Sequence, residues 1–307
     1  MRKFRTWAVV FGWFASLSLF SCTENIEVGR DHAASAGAGA PAAAGAGGEV
    51  PTTGGMSAGG TAGAAQGCQE SACQGKVYKC GDCMDNDGDG LIDSADPECT
   101  GPCDNTEDSY FGGIPGQNNA PCREDCYFDQ DTGTGNDQCF WSHQCDSKSI
   151  APDFPPSGDS HCAYDEGSKV PGSNASCEEL RTTQTSTCLN VCLPITPNGC
   201  DCFGCCELPS ASGNYVWIGS GTQNVGTCDG DHLDDPTACR PCTPVRSCFN
   251  ACDPCEVCVG STAPLADCGS NSPLRCPGSA AACGQPGEPA CDVGYYCVTG
   301  CCAAAPR

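Results

Sequence analysis

The segment "MDNDGDGLIDSADPEC", Met84 to Cys99, carries aspartates at 85, 87, 89, 93 and 96, five carboxylates within twelve residues. Like charges at this density repel one another, and the segment tends to open unless a cation sits among them. Carboxylate oxygens are hard donors suited to a divalent ion. No histidine stands beside them to activate a nucleophile toward a substrate. The alternate spacing of Asp85, Asp87 and Asp89 allows a wrapped loop to point side chains inward, and Gly90 enters the sharp turn that a Cβ would resist. The plainer alternative is a solvated acidic turn.

With Asp85 as position 1, Asp87 is 3, Asp89 is 5, Gly90 is 6, Leu91 is 7, Asp93 is 9 and Asp96 is 12. This pattern resembles the calcium loop of EF-hands, dockerins and thrombospondin type 3 repeats. The resemblance implies that Asp85, Asp87, Asp89, Asp93 and Asp96, with the backbone carbonyl of Leu91, ligate calcium while Ile92 anchors the loop to protein. Pro97 follows at once, and Cys80 and Cys83 precede, which leaves no room for the paired helices of an EF-hand. The thrombospondin-like form, braced by disulfides, fits better. Aspartate at position 12 and the missing helix pair imply a structural site of about 10⁻⁴–10⁻³ M, as in extracellular modules, and not a switch. Two weaker acidic groups, Asp129, Asp131, Asn136 and Asp137, and Asp229, Asp231, Asp234 and Asp235, read by default as polar surface turns.

Other chemistries are thinly represented. "CGDC", "CRPC" and "CDPCEVC" contain C-x-x-C, a spacing found in zinc ribbons, iron–sulfur sites and thioredoxin-like motifs. After Cys258 the next cysteine is Cys268, so a cluster motif is not completed, and no strand–helix alternation supports a redox fold. The four histidines, His32, His143, His161 and His232, form no H-E-x-x-H, and no G-x-S-x-G occurs. No catalytic residue is assigned, and the chain is not expected to be an enzyme. Between residues 80 and 139 stand 15 acidic side chains and one basic one, Arg123. That field excludes nucleic acid as a partner and favours divalent cations or a basic partner.

The elements that must hold the loop begin with an export signal. Arg2, Lys3 and Arg5 precede an apolar run from Trp7 to Phe20, too short to span a bilayer comfortably. "LFSC", Leu19 to Cys22, resembles the lipobox of bacterial lipoproteins, although Phe20 is bulkier than that family prefers. The resemblance implies cleavage after residue 21 and lipidation of Cys22. Residues 23–67 lack cysteine and are dominated by Ala and Gly, as in "AASAGAGAPAAAGAGG". Such a chain buries too little to offset its ordering entropy, and a disordered tether holding its domain roughly 35–40 Å from the anchor is expected.

Cys68 to Cys302 contains 32 of the 33 cysteines and only 29 Leu, Ile, Val and Phe residues. A core this thin points to a disulfide scaffold in an oxidising compartment. The expected fold is a set of small disulfide-rich modules, mostly loops with short β-strands and one short helix. Even cysteine counts suggest a calcium-loop module at 68–150, a second module at 151–240 and a C-terminal module at 241–307, after a signal at 1–21 and an anchor and tether at 22–67. Cross-links between modules remain open. Cys80, Cys83, Cys99 and Cys103 are expected in disulfides. Adjacent Cys205 and Cys206, and Cys301 and Cys302, should each tie to a different segment. "SCEELRTTQTSTCLNVCLP" predicts a helix with Ser176 as N-cap and Glu179 as its capping-box partner, burying Cys177, Leu180, Gln184, Cys188, Val191 and Cys192. "NYVWIGSG", Asn214 to Gly221, predicts a strand and turn. "CDVGYYCVTGCC" resembles small secreted cystine-rich modules of the Dickkopf and inhibitor-knot type.

Taken whole, the lipobox, the Ala/Gly tether and "CMDNDGDGLIDSADPEC" resemble the cysteine-rich surface lipoproteins of myxobacteria. The resemblance implies a protein held to the membrane by its N-terminal lipid, at the outer membrane or cell surface. Thr23, which is not aspartate, leans toward the outer membrane. The expected role is structural or binding, with calcium as a structural cofactor and a basic or surface-protein partner. A calcium-stabilised extracellular hydrolase and a zinc or thiol-redox protein are the alternatives.

Overall fold

The computed structural model describes residues 68–113, 122–129, 137–148, 162–170, 172–208, 213–222, 225–264, 276–285 and 287–306. The expected signal, Cys22 and the tether lie outside the described residues. Among the described residues no helix is long and apolar enough to cross a membrane.

The architecture is that of a cystine scaffold. Among the described residues, five two-stranded antiparallel ladders and two six-residue helices are strung on loops. The ladders pair β1 (Ala72–Cys73) with β2 (Lys76–Val77), β3 (Arg123–Glu124) with β4 (Trp141–Ser142), and β5 (Cys205–Cys206) with β6 (Val216–Trp217). They continue with β7 (Gly221–Thr222) on β8 (Val225–Gly226) and β9 (Tyr295–Val298) on β10 (Cys301–Ala304). In the β1–β2 and β9–β10 hairpins both central residues have positive φ: Gln74 and Gly75 in one, Thr299 and Gly300 in the other. These are the two-residue turns whose twist matches a hairpin, and glycine takes the second position at no steric cost. The expected strand at Asn214–Gly221 resolves into β6, a turn and the start of β7.

Isolated two-stranded ladders are marginal in water, so covalent links must hold them. Fifteen disulfides join described cysteines, and Cys255 is disulfide-bonded as well. Their grouping differs from the expected modules. Cys122–Cys162, Cys126–Cys192, Cys139–Cys188 and Cys145–Cys177 all cross the boundary placed at 150. Cys202–Cys248 and Cys205–Cys242 cross the one placed at 240. These fifteen links close instead within 68–103, 122–248 and 252–302. Even counts constrain parity but not pairing, and segments distant in sequence are brought together only by folding. The adjacent cysteines part as expected: Cys205 goes to Cys242 and Cys206 to Cys200, while Cys301 goes to Cys276 and Cys302 to Cys291.

Two buried clusters mix cystine sulfur with a few large side chains. One gathers Tyr110, Tyr127, Leu208, Trp217 and Ile218. The other gathers Trp141, Val170, Leu180, Phe203 and Val245. The expected single helix is broken into α1 (Cys177–Thr182) and α2 (Ser186–Val191). Its start is as expected: Ser176 Oγ accepts from the Glu179 N–H, and Glu179 Oε2 accepts from the Ser176 N–H at 2.7 Å. Thr183 then turns extended (φ −147°, ψ 113°). The side chain of Gln184 grips the backbone of Phe140, accepting from its N–H at 3.1 Å and donating to its carbonyl at 2.9 Å. Thr185 Oγ1 accepts from Cys188 N–H and caps the second helix. β-branched threonines hold a continuous helix weakly, and here a long-range clamp and two caps outcompete it. The predicted face is buried at Cys177, Leu180, Gln184, Cys188 and Cys192, but Val191 is exposed.

Asp201, buried, ties the centre together. Its Oδ1 accepts from Phe203 and Cys205 N–H, and its Oδ2 accepts from Val245 N–H at 2.7 Å. Asp201→Ala leaves three interior donors unpaired, at about 1–3 kcal/mol each. The expected outcome is a fall of about 3 kcal/mol or more, read from the denaturant midpoint with all disulfides intact. A variant as stable as the parent would show that Asp201 does not organise the centre.

Candidate functional site

The aspartate loop runs from the turn at Lys79–Gly81 to a second 3-10 turn at Asp93–Ala95. Cystines fasten both ends, Cys80 to Cys99 and Cys83 to Cys68. Gly88 and Gly90 have φ of 89° and 97°, so the tight wrap falls where the sequence puts residues without a Cβ. Asp85 is the hub, with its two oxygens accepting from Gly88 N–H at 2.6 Å and Gly90 N–H at 3.2 Å. Asp87 and Asp89 are exposed, and each accepts from the backbone N–H two residues on, Asp89 and Leu91 respectively. These bonds hold the carboxylates along one short wrapped segment.

The buried members differ from one another. Asp93 takes a left-handed backbone (φ 48°) and turns both oxygens to the Cys83 N–H, at 3.1 and 3.3 Å. It closes the base of the loop. Asp96 accepts from Glu98 N–H through Oδ1, while its Oδ2 is buried and no donor reaches it. Burial pushes the Asp96 carboxyl up to about 8, and the nearby carboxylates of Glu98 and Asp89 add to the rise. Burial likewise pushes Asp93 up to about 7, with Glu107 and Asp82 contributing. Removal from water penalises the charged form, and adjacent negative charge compounds the penalty.

Glu107 was not singled out by the sequence. It is buried, and its two oxygens accept from Asn86 N–H at 2.6 Å and Asp93 N–H at 2.9 Å, clamping both arms of the loop. Nothing in "DNTEDSY" distinguishes it from its acidic neighbours, because its role depends on a contact made 14 and 21 residues away. From the far end of the chain, Tyr296 Oη donates to the Cys80 carbonyl at 2.8 Å.

The exit of the loop forms part of two clefts whose other walls come from the C-terminal region. One, of about 310 Å³, is lined by Leu91, Asp96, Val259 and Thr299 among others. The other, of about 580 Å³, is lined by Ile92, Asp93, Tyr295 and Tyr296 among others, with the exposed Val293 at its edge. Ser94 and Ala95 face both.

The remaining candidates divide sharply. Asp229 and Asp235 make local turns: Asp229 accepts from Asp231 and His232 N–H and meets His232 Nδ1 at 2.7 Å, and Asp235 accepts from Thr237. Asp129 and Asp137, expected on a surface turn, are instead buried; Asp131, Asn136 and His161 lie outside the described residues. A buried pair joins His143 Nε2 to Glu124 Oε1 at 2.5 Å, edge-on to Trp217. Burial pushes the Glu124 carboxyl up and the His143 imidazole down from their ordinary values. Neither residue lines the two clefts. In the C-x-x-C motifs, the cysteines three apart never pair with each other: Cys80 and Cys83 go to Cys99 and Cys68, Cys239 and Cys242 to Cys228 and Cys205, and Cys252 to Cys258.

Comparison of the chain with protein-family models, with curated proteins and with solved structures finds no match.

Proposed function

We propose that the chain is an exported lipoprotein, anchored through Cys22 at the outer membrane or cell surface, whose disulfide-braced ectodomain carries a structural calcium ion in the Asp85–Asp96 loop and serves a binding role. The observation that carries the calcium reading is Asp96. Its Oδ2 is buried without a donor, and Asp89, position 5 of the loop, is among the charges it feels. Asp85, Asp87 and Asp89 lie on the same wrapped segment, and the carboxylates of Asp96 and these three supply the hard oxygens that calcium takes. Asp93, buried at the base with both oxygens toward the Cys83 N–H, braces the loop from below. The ion's part is to offset crowded negative charge and hold the exit segment where it lines the two clefts. The export reading is supported by the lipobox and by disulfide bonding at every cysteine among the described residues, a pattern of oxidising compartments.

Calcium titration of the purified full chain tests this reading. Binding at about 10⁻⁴–10⁻³ M is expected, together with a raised melting temperature. Asp89→Ala weakens the response by at least about tenfold, or roughly 1.4 kcal/mol. A parent chain with neither heat nor stabilisation at about 10 mM calcium would remove the metal from the proposal.

A further inference from the structure

A second carboxylate cluster lies apart from the loop, at one end of the β3–β4 hairpin. The antiparallel pairing of Glu124 with Trp141 brings the residues that follow β3 close to those that precede β4. Asp125, Asp129 and Asp137 are thereby gathered in the interior, with relative exposures of 1%, 4% and 0%. Asp137 has a structural share: its oxygens accept from Cys126 and Cys139 N–H at 3.2 and 3.3 Å. Asp125 has none. Both its oxygens are buried and neither accepts a hydrogen bond of good geometry; the Cys126 N–H and the Asp137 carboxyl are its nearest polar neighbours. Its carboxyl lies against that of Asp137, with Asp129 the next acidic group it feels.

A buried carboxylate without a well-placed donor is strongly unfavourable in its charged form. The site must therefore hold positive charge or lose its own. Three carboxylates offer up to six hard oxygens and no sulfur or imidazole nitrogen, a donor set for calcium, magnesium or manganese and not for zinc. Calcium accepts irregular carboxylate geometry, whereas magnesium demands a near-ideal octahedron. We propose that Asp125, Asp129 and Asp137 form a second, interior calcium site, independent of the Asp85–Asp96 loop. In this site Asp137 ties the ion to the backbone at Cys126 and Cys139, next to the Cys126–Cys192 and Cys139–Cys188 cross-links. Asp125 serves the ion alone.

The test counts bound ions on the full chain, using calcium as the probe in equilibrium dialysis. A chain whose first loop is disabled by Asp85→Ala and Asp89→Ala is expected to retain about one calcium and a calcium-dependent rise in melting temperature. Asp125→Asn in that background abolishes both. Loss of all binding on disabling the loop overturns the proposal. So does binding that Asp125→Asn leaves unchanged, the result expected if the cluster is held by protons alone. Should Asp125→Asn fail to fold, Asp129→Asn takes its place, and undiminished binding there has the same meaning. Failure of the first loop to bind calcium in the parent chain would not affect this count.

Discussion

Replacing Cys126 and Cys192 together by alanine is expected to lower stability by about 4 kcal/mol, against about 2 kcal/mol for Cys200 and Cys206. The difference comes from the loops closed: 66 residues in the first case and 6 in the second. A longer loop removes more freedom from the unfolded chain, so its loss returns more. The Cys126–Cys192 link also joins the end of α2 to the segment after β3, where Tyr127 fills the core. Neighbouring cross-links shorten the effective loop, which makes about 4 kcal/mol the upper figure. The measurement is the denaturant midpoint of each variant with its remaining disulfides intact. Full reduction should go further and abolish the fold. Strands of two to four residues, six-residue helices and a core this poor in aliphatic side chains offer little else to offset chain entropy. Unchanged circular dichroism and protease resistance after reduction would show that packing, and not cystine, holds the molecule.

The calcium-free protein is expected to lose stability as pH rises from about 4 to about 8, and calcium is expected to flatten the part of that slope that comes from the loop. The sign follows from Asp93 and Asp96, held up at about 7 and about 8 in the folded chain, whereas unfolded aspartates titrate near 3.9. Between those limits the folded state binds more protons than the unfolded state, so protons favour folding. This stabilisation is complete below about pH 4 and is lost as pH passes through the folded values. A carboxyl that titrates one pH unit higher in the folded chain than in the unfolded one contributes about 1.4 kcal/mol, and together the two reach the order of several kcal/mol. A bound cation replaces the protons at pH 8. Melting temperatures of dialysed protein across this range, with and without calcium, provide the check. Asp96→Asn should remove its own share of the calcium-free slope, while buried Asp104 and Asp201, raised to about 8 and about 7, keep theirs. Equal slopes with and without calcium would detach these carboxyls from the ion.

Much of the scaffold was legible because its signals are local. Ser176 and Glu179 are three residues apart, and a capping box needs nothing else. Adjacent cysteines cannot easily bond to each other, so Cys205 and Cys206 had to part. The turn at Gly88 and Gly90 rests on glycine's freedom at positive φ. The break at Thr183 was not legible, because Gln184 gains its partners from Phe140, 44 residues away. The burial of Asp129 and Asp137 was hidden for the same reason: an aspartate among glycines reads as a turn until a hairpin closes over it.

By itself, then, the sequence determined that the chain is a loop-rich disulfide scaffold, and it located the crowded carboxylates of Asp85–Asp96. Those properties follow from composition and short spacing, which act before any distant contact exists. Only the tertiary structure decided which cysteines meet, that Asp93 turns to the Cys83 backbone while Asp96 keeps a buried oxygen without a donor, and that Glu107 and Asp125 belong to acidic sites. Pairing and burial depend on which segments the folded chain brings within a few ångströms, and residues far apart in sequence carry no local mark of that proximity.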